Sequence, residues 1–113
     1  MESRSLRYFV AVAEELNFAR AAERLGISAP PLSRAIRKLE TDLGVTLFER
    51  TTHRVTLTPA GTVLLTEARI ALDALDAAGR RAQRAADPDP KLVLAVKADG
   101  AAGLLETILA RYA

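Results

Sequence analysis

Residues 28–44, SAPPLSRAIRKLETDLG, read as one helix with two contrasting faces. Ser28 is a capping residue. Pro30 and Pro31 fall in the first turn, where a missing N–H costs little because those donors are orphaned anyway. At 100° per residue, Leu32, Ile36, Leu39 and Leu43 share a stripe about 60° wide. The opposite arc, from roughly 100° to 240°, carries Pro30, Ser33, Arg34, Arg37, Lys38 and Thr41. Glu40 and Asp42 fall on its flanks, so this reading keeps the carboxylates off the basic face.

The segment before it, residues 17–27 (NFARAAERLGI), predicts a short helix. Asn17 suits the N-cap, Phe18–Leu25 the body and Gly26 the C′ position. Ala21, Ala22 and Leu25 are expected to face inward, and the alanine pair lets another helix approach closely. Only Gly26, Ile27 and Ser28 separate the two helices, which is the spacing of a helix-turn-helix. Upstream, residues 3–16 predict a helix capped by Ser3 or Ser5, with Leu6, Phe9, Val10, Ala13 and Leu16 on one face.

Downstream, Leu47–Arg50 and Arg54–Leu57 are short, β-branched and roughly alternating, and they predict a β-hairpin. Thr51, Thr52 and His53 link the two strands. Thr58-Pro59 then starts a long helix reaching about Ala86. Leu65, Ala68, Leu72, Leu75, Gly79, Ala82 and Ala86 recur at spacings of three and four, the pattern of a heptad seam. Such a seam predicts pairing with the same helix of a second chain; the competing reading packs it on its own domain. Asp87-Pro88-Asp89-Pro90 predicts a hinge. Residues 91–96 predict a strand, and Leu104–Tyr112 a short helix.

The whole chain has 113 residues, 50% of them hydrophobic, with no Cys and no Trp. That length suits one small domain plus extensions. Without Cys there is no disulfide framework, thiolate nucleophile or Cys-ligated metal. The net charge of +2 is too mild to argue for nucleic acid by itself. Its makeup is more telling, since 13 Arg outnumber 3 Lys, and Arg is the better bidentate reader of phosphate and guanine. No apolar run approaches the ~18 residues of a membrane span. The N-terminus lacks the pattern of a signal peptide. A soluble cytoplasmic protein is expected.

The basic face of the third helix suits a DNA major groove, which admits a helix and offers guanine acceptors to Arg and Lys. The start of the helix adds a positive dipole end and N–H groups that can meet a phosphate. Arg54 and His53 at the hairpin tip, with Arg50 opposite, can enter a minor groove or neutralise phosphates. His53 is the single His, and no ligand cluster surrounds it, so neither a metal nor another cofactor is expected. An enzyme is disfavoured by the same scarcity, with no Gly-rich phosphate loop and no carboxylate pair in a His-containing cluster. The rival from another class is a helical dimeric interaction module that binds a protein and no duplex.

Three stretches together resemble the DNA-binding half of the LysR-type transcriptional regulators: LRYFVAVAEELNFARAAERLGIS, PPLSRAIRKLETDLGVTLFER and VTLTPAG. The resemblance covers residues 1–86. It implies an all-α fold with a small β wing: a winged helix-turn-helix at 1–58, with the helix-turn-helix at about 18–37, followed by a dimerising linker helix at 59–86. A hinge at 87–90 and the start of an effector-binding domain at 91–113 complete the expected organisation. By this likeness DNA contact maps onto Ala29, Pro30, Pro31, Ser33, Arg34, Arg37 and Lys38, and the wing contribution onto Thr51, Thr52, His53 and Arg54. Arg34 and Arg37 are expected to read bases, and Lys38, Arg50 and Arg54 to hold phosphates. Dimerisation is expected through Leu65, Ala68, Leu72, Leu75, Gly79 and Ala82. Ala29 stands where the family often has Gln, so a base contact there is apolar. Pro31 stands where the family often has Ala, a frequent variant. Only 23 residues follow Pro90, too few to enclose a ligand pocket. The chain therefore reads as truncated, and a small-molecule effector is not expected. The partners expected are double-stranded DNA and a second copy of the chain.

Overall fold

A computed structural model describes residues 1–87. Its elements are α1 (Ser3–Glu15), α2 (Phe18–Leu25), α3 (Ala29–Leu43), β1 (Phe48–Arg50), β2 (Val55–Leu57) and α4 (Pro59–Ala86). The strand expected at 91–96, the helix expected at 104–112 and all of the 87–90 hinge except Asp87 lie outside the described residues. The chain divides after Leu72, so the first compact unit is Met1–Leu72. The first turns of α4, as far as Leu72, belong to it.

The helix ends follow local chemistry. Asn17 Oδ1 accepts the N–H of Arg20 at 2.9 Å, satisfying an orphan donor of α2. Gly26 closes α2 at φ 73°, and Gly44 closes α3 at φ 72°. A Cβ at either glycine would meet nothing within 4 Å, so the left-handed backbone, not crowding, selects glycine there. At the start of α1 the expectation fails: Glu2 is the N-cap, and it makes no side-chain bond to the helix. Leu16 fails too. It is the C-cap of α1 at φ 51°, and it is 43% exposed rather than buried.

Leu6, Phe9, Ala11, Val12 and Ala13 of α1, Ala21 and Ala22 of α2, and Leu32, Ile36 and Leu39 of α3 form the core with Leu47, Phe48, Ala68 and Leu72. Leu25 is partly buried against it. The Phe48 ring lies 5.3 Å from that of Phe9, and Phe18 meets Phe48 edge-on at 6.0 Å. Both are favourable aromatic geometries. The wing is a two-stranded antiparallel sheet pairing Phe48 with Leu57, Glu49 with Thr56 and Arg50 with Val55.

Thr58 fastens the foot of the wing to α4. Its N–H donates to Leu47 O at 3.0 Å, its hydroxyl donates to Thr46 O at 2.6 Å, and its Oγ1 accepts the Gly61 N–H at 3.0 Å. The first half of the expected dimer seam faces the chain's own core. Ala68 and Leu72 are 1% and 8% exposed within that core, and the partly buried Leu65 packs against it. Apolar exposure on α4 lies instead at Val63, Ile70 and Leu75, which are 65%, 59% and 50% exposed. Gly79 and Ala82 are also exposed.

Candidate nucleic-acid interface

The core holds α3 by Leu32 and Ile36, both fully buried, and Leu39. Leu43, the fourth member of the stripe, lies beyond that cover and is exposed. This seating turns Pro30, Arg34, Arg37, Lys38 and Thr41 to solvent, with Ala29, Pro31 and Ser33 half-buried beside them. The hydrogen bonds and ion pairs of the described residues leave the Arg34 and Arg37 side chains without a carboxylate partner. Each guanidinium keeps its donor fork, the geometry that meets a guanine edge or a phosphate.

The beginning of α3 is poorer in donors than expected. The helix starts at Ala29 after Ser28, and Ser28 makes no side-chain cap bond. Pro30 and Pro31 carry no N–H. Of the orphan positions in the first turn, only Ser28 and Ala29 have backbone donors to offer. The helix dipole remains positive at that end.

Neither flanking carboxylate is idle. Asp42 reaches back one turn to Lys38, Nζ to Oδ2 at 3.1 Å. Both side chains are largely exposed, so this pair is a weak restraint. Glu40 turns the other way. Its Oε2 accepts the backbone N–H groups of Leu47 at 2.8 Å and Phe48 at 3.2 Å. Its Oε1 lies 3.6 Å from Arg50 Nη2. The Arg50 guanidinium also sits 5.0 Å from the centroid of the Phe18 ring, within cation–π range. Arg50 is therefore held from two sides. An open groove beside α3 is lined by Arg37, Glu40, Thr41, Val45, Thr46 and Arg50, so it brings together two arginines from different elements.

At the wing tip, the Thr51 N–H donates to Arg54 O at 2.8 Å, and the His53 N–H donates to Thr51 Oγ1 at 3.3 Å. These bonds shape a tight turn in which Thr51, Thr52, His53 and Arg54 are all exposed. A second groove runs from Leu16, Asn17 and Phe18 to Thr51–Val55. Away from α3 in sequence, Glu14 of α1 accepts from Arg24 at 2.7 Å and from Arg69 at 2.8 Å. One carboxylate thus ties α1 to α2 and α4. These two guanidiniums, Arg69 first, hold the Glu14 carboxyl below its ordinary value.

Two features escaped the sequence reading: the inward turn of Glu40 and the Phe18 platform under Arg50. Helical phase marked Glu40 only as a flank. Nothing in sequence spacing relates Phe18 to Arg50, since their meeting is made by the fold. No group of three or more His, Asp or Glu among the described residues is arranged to hold a metal. No described helix is long and apolar enough to cross a membrane.

Residues 3–62 match the family model described as the bacterial regulatory helix-turn-helix protein, lysR family. The chain is 54% identical over 86 residues to the HTH-type transcriptional regulator TfdT of Cupriavidus pinatubonensis, covering 76% of this chain and 38% of TfdT. It is 62% identical over 69 residues to the HTH-type transcriptional regulator ClcR of Pseudomonas putida, covering 61% of this chain and 24% of ClcR. The chain thus spans well under half the length of either relative. Among solved structures, it resembles the protein of the CbnR DBD–DNA complex with a TM-score of 0.74 and 47% identity. That likeness covers 77% of this chain and all of the other.

Proposed function

This chain belongs to the lysR family of bacterial regulatory helix-turn-helix proteins, and from that premise we propose that it is a transcription regulator binding specific sequences of double-stranded DNA as a homodimer. The recognition helix is α3, seated in the major groove by its solvent face. Ala29, Pro30, Pro31 and Ser33 approach the bases closely, Arg34 and Arg37 read base edges, and Lys38 holds the backbone. Arg50 and the wing tip Thr51–Arg54 follow the neighbouring phosphates or minor groove. The work is binding rather than catalysis, and its place is the cytoplasm.

The observation that carries this reading is the pair Arg34 and Arg37. They stand exposed on α3, with no carboxylate partner among the described residues, next to an exposed wing. Resemblance to a protein solved on DNA supports the same docking. A dimer presents two such heads, and half-sites about 34 Å apart or a multiple of that would match it. The dimer contact draws on the part of the expected seam that continues beyond Leu72: Leu75, Gly79 and Ala82, all exposed.

A gel-shift titration of the chain on duplexes from a randomised pool, at two salt concentrations, tests the reading. Enrichment of one sequence, with affinity falling as salt rises, is expected. A helical interaction module would bind no duplex even at low salt, and that result overturns the proposal.

A further inference from the structure

The acid on the recognition helix bears on how the wing is used. Glu40 is anchored by two backbone donors whose own side chains, Leu47 and Phe48, are 1% and 2% exposed. Its carboxylate therefore cannot swing to water without leaving two N–H groups unmade at the edge of the core. Its other oxygen faces Arg50 at 3.6 Å, and the Phe18 ring covers one face of the same guanidinium. Arg50 is thus tied to α3 through Glu40 and to α2 through Phe18, at the wall of the groove it shares with Arg37.

We propose that Glu40 is a specificity-determining positioning residue, which restrains Arg50 so that the wing's cation meets a DNA phosphate only when α3 is seated in its own register. The inference rests on the DNA-binding reading above. Its physical logic is a balance of charge and geometry. An unrestrained arginine neutralises any phosphate and raises affinity for every sequence alike. A carboxylate beside it cancels much of that gain on a random duplex. On the preferred duplex the backbone passes the groove at one place, where an Arg50 held at the groove wall can meet it. Glu40 thus lowers indiscriminate binding and leaves the register-specific contact.

Glu40→Gln separates the two roles of the side chain. The amide oxygen still accepts from Leu47 and Phe48, while the amide nitrogen now faces Arg50 as a donor. The full chain is compared as wild type, Glu40→Gln, Arg50→Ala and the double variant. Binding is read by fluorescence anisotropy over a salt series, on the duplex selected by the wild-type chain and on a scrambled duplex of the same length. Glu40→Gln is expected to keep its melting temperature close to wild type and to bind the scrambled duplex more tightly. Its salt slope on that duplex steepens by about 0.9, the release of one further counterion, and the preference for the selected duplex falls. With Arg50 replaced by Ala, the same substitution changes neither slope nor preference. Phe18→Leu, which removes the platform and leaves Glu40 intact, shifts the preference in the same direction.

The proposal is overturned if Glu40→Gln leaves scrambled binding unchanged, weakens both duplexes equally, or acts the same without Arg50. If Glu40→Gln unfolds, Phe18→Leu decides by the same preference ratio. Failure of the wild-type chain to bind any duplex overturns the DNA reading as well, so the two failures are distinguishable.

Discussion

Gly61, in the first turn of α4, lies against the backbone carbonyl of Leu47 at the foot of β1. A Cβ added to Gly61 would overlap that oxygen and sit 2.8 Å from Leu57 Cδ2. The Leu57 side chain can yield, but the carbonyl is fixed by the Thr58 N–H. Gly61→Ala is therefore expected to destabilise the chain by about 1–3 kcal/mol, the usual range for overpacking. The helix propensity gained from Ala, about 1 kcal/mol, offsets only part of this. Urea unfolding checks it, and an unchanged or raised midpoint would show that the joint can relax.

Arg34→Ala is expected to cost about 1–3 kcal/mol on the selected duplex and to relax preference at one base pair. Arg54→Ala should weaken all duplexes similarly and flatten the salt slope by about one unit. Competition binding with single-base variants tells them apart. Equal loss on selected and scrambled DNA for Arg34→Ala would contradict base reading.

Glu14 gives the fold a pH dependence of known sign. Its carboxyl titrates below the ordinary 4.5 because Arg69 and Arg24 bond the ionised form. A depressed folded value means the stabilisation is whole above the unfolded value and is lost as pH falls through the folded one. Partly exposed pairs like these contribute on the order of 1 kcal/mol or less. Wild type and Glu14→Gln should therefore differ at neutral pH and converge in acid. Melting temperatures that stay equally far apart down to low pH would refute the assignment.

On α4, neighbouring turns should respond differently. Leu72→Ala removes a buried side chain and is expected to cost about 2–5 kcal/mol of folding stability. Leu75→Asp changes an exposed position, so the helical signal should persist while sedimentation equilibrium shifts toward monomer. Undiminished dimer with Leu75→Asp would move the contact off this part of the helix.

Much of this molecule was legible in sequence because its signals are local. The Asn17 cap, the Gly26 and Gly44 stops and the Thr58-Pro59 start depend on residues within a turn of one another. The 3.6-residue period placed Leu32, Ile36 and Leu39 inward and Arg34 and Arg37 outward. The same period misjudged Leu16 and Leu43, which continue their stripes past the ends of the covering core. Ser3 and Ser5 were expected caps for α1, but the helix begins at Ser3 with Glu2 as its cap, so both serines fall inside it.

By itself, then, the sequence determined the order and extent of the helices among the described residues, the wing and the outward basic face of α3. These follow from backbone stereochemistry and the alternation of apolar and polar residues along one segment. The tertiary structure alone decided what each surface meets. Periodicity shows that α4 has an apolar stripe but not which body covers it, and Ala68 and Leu72 are covered by their own chain. Helical phase gives Glu40 a direction but not a partner. Its partners Leu47, Phe48 and Arg50 arrive only when the turn after α3 folds back, bringing two backbone donors and a guanidinium within reach of one carboxylate.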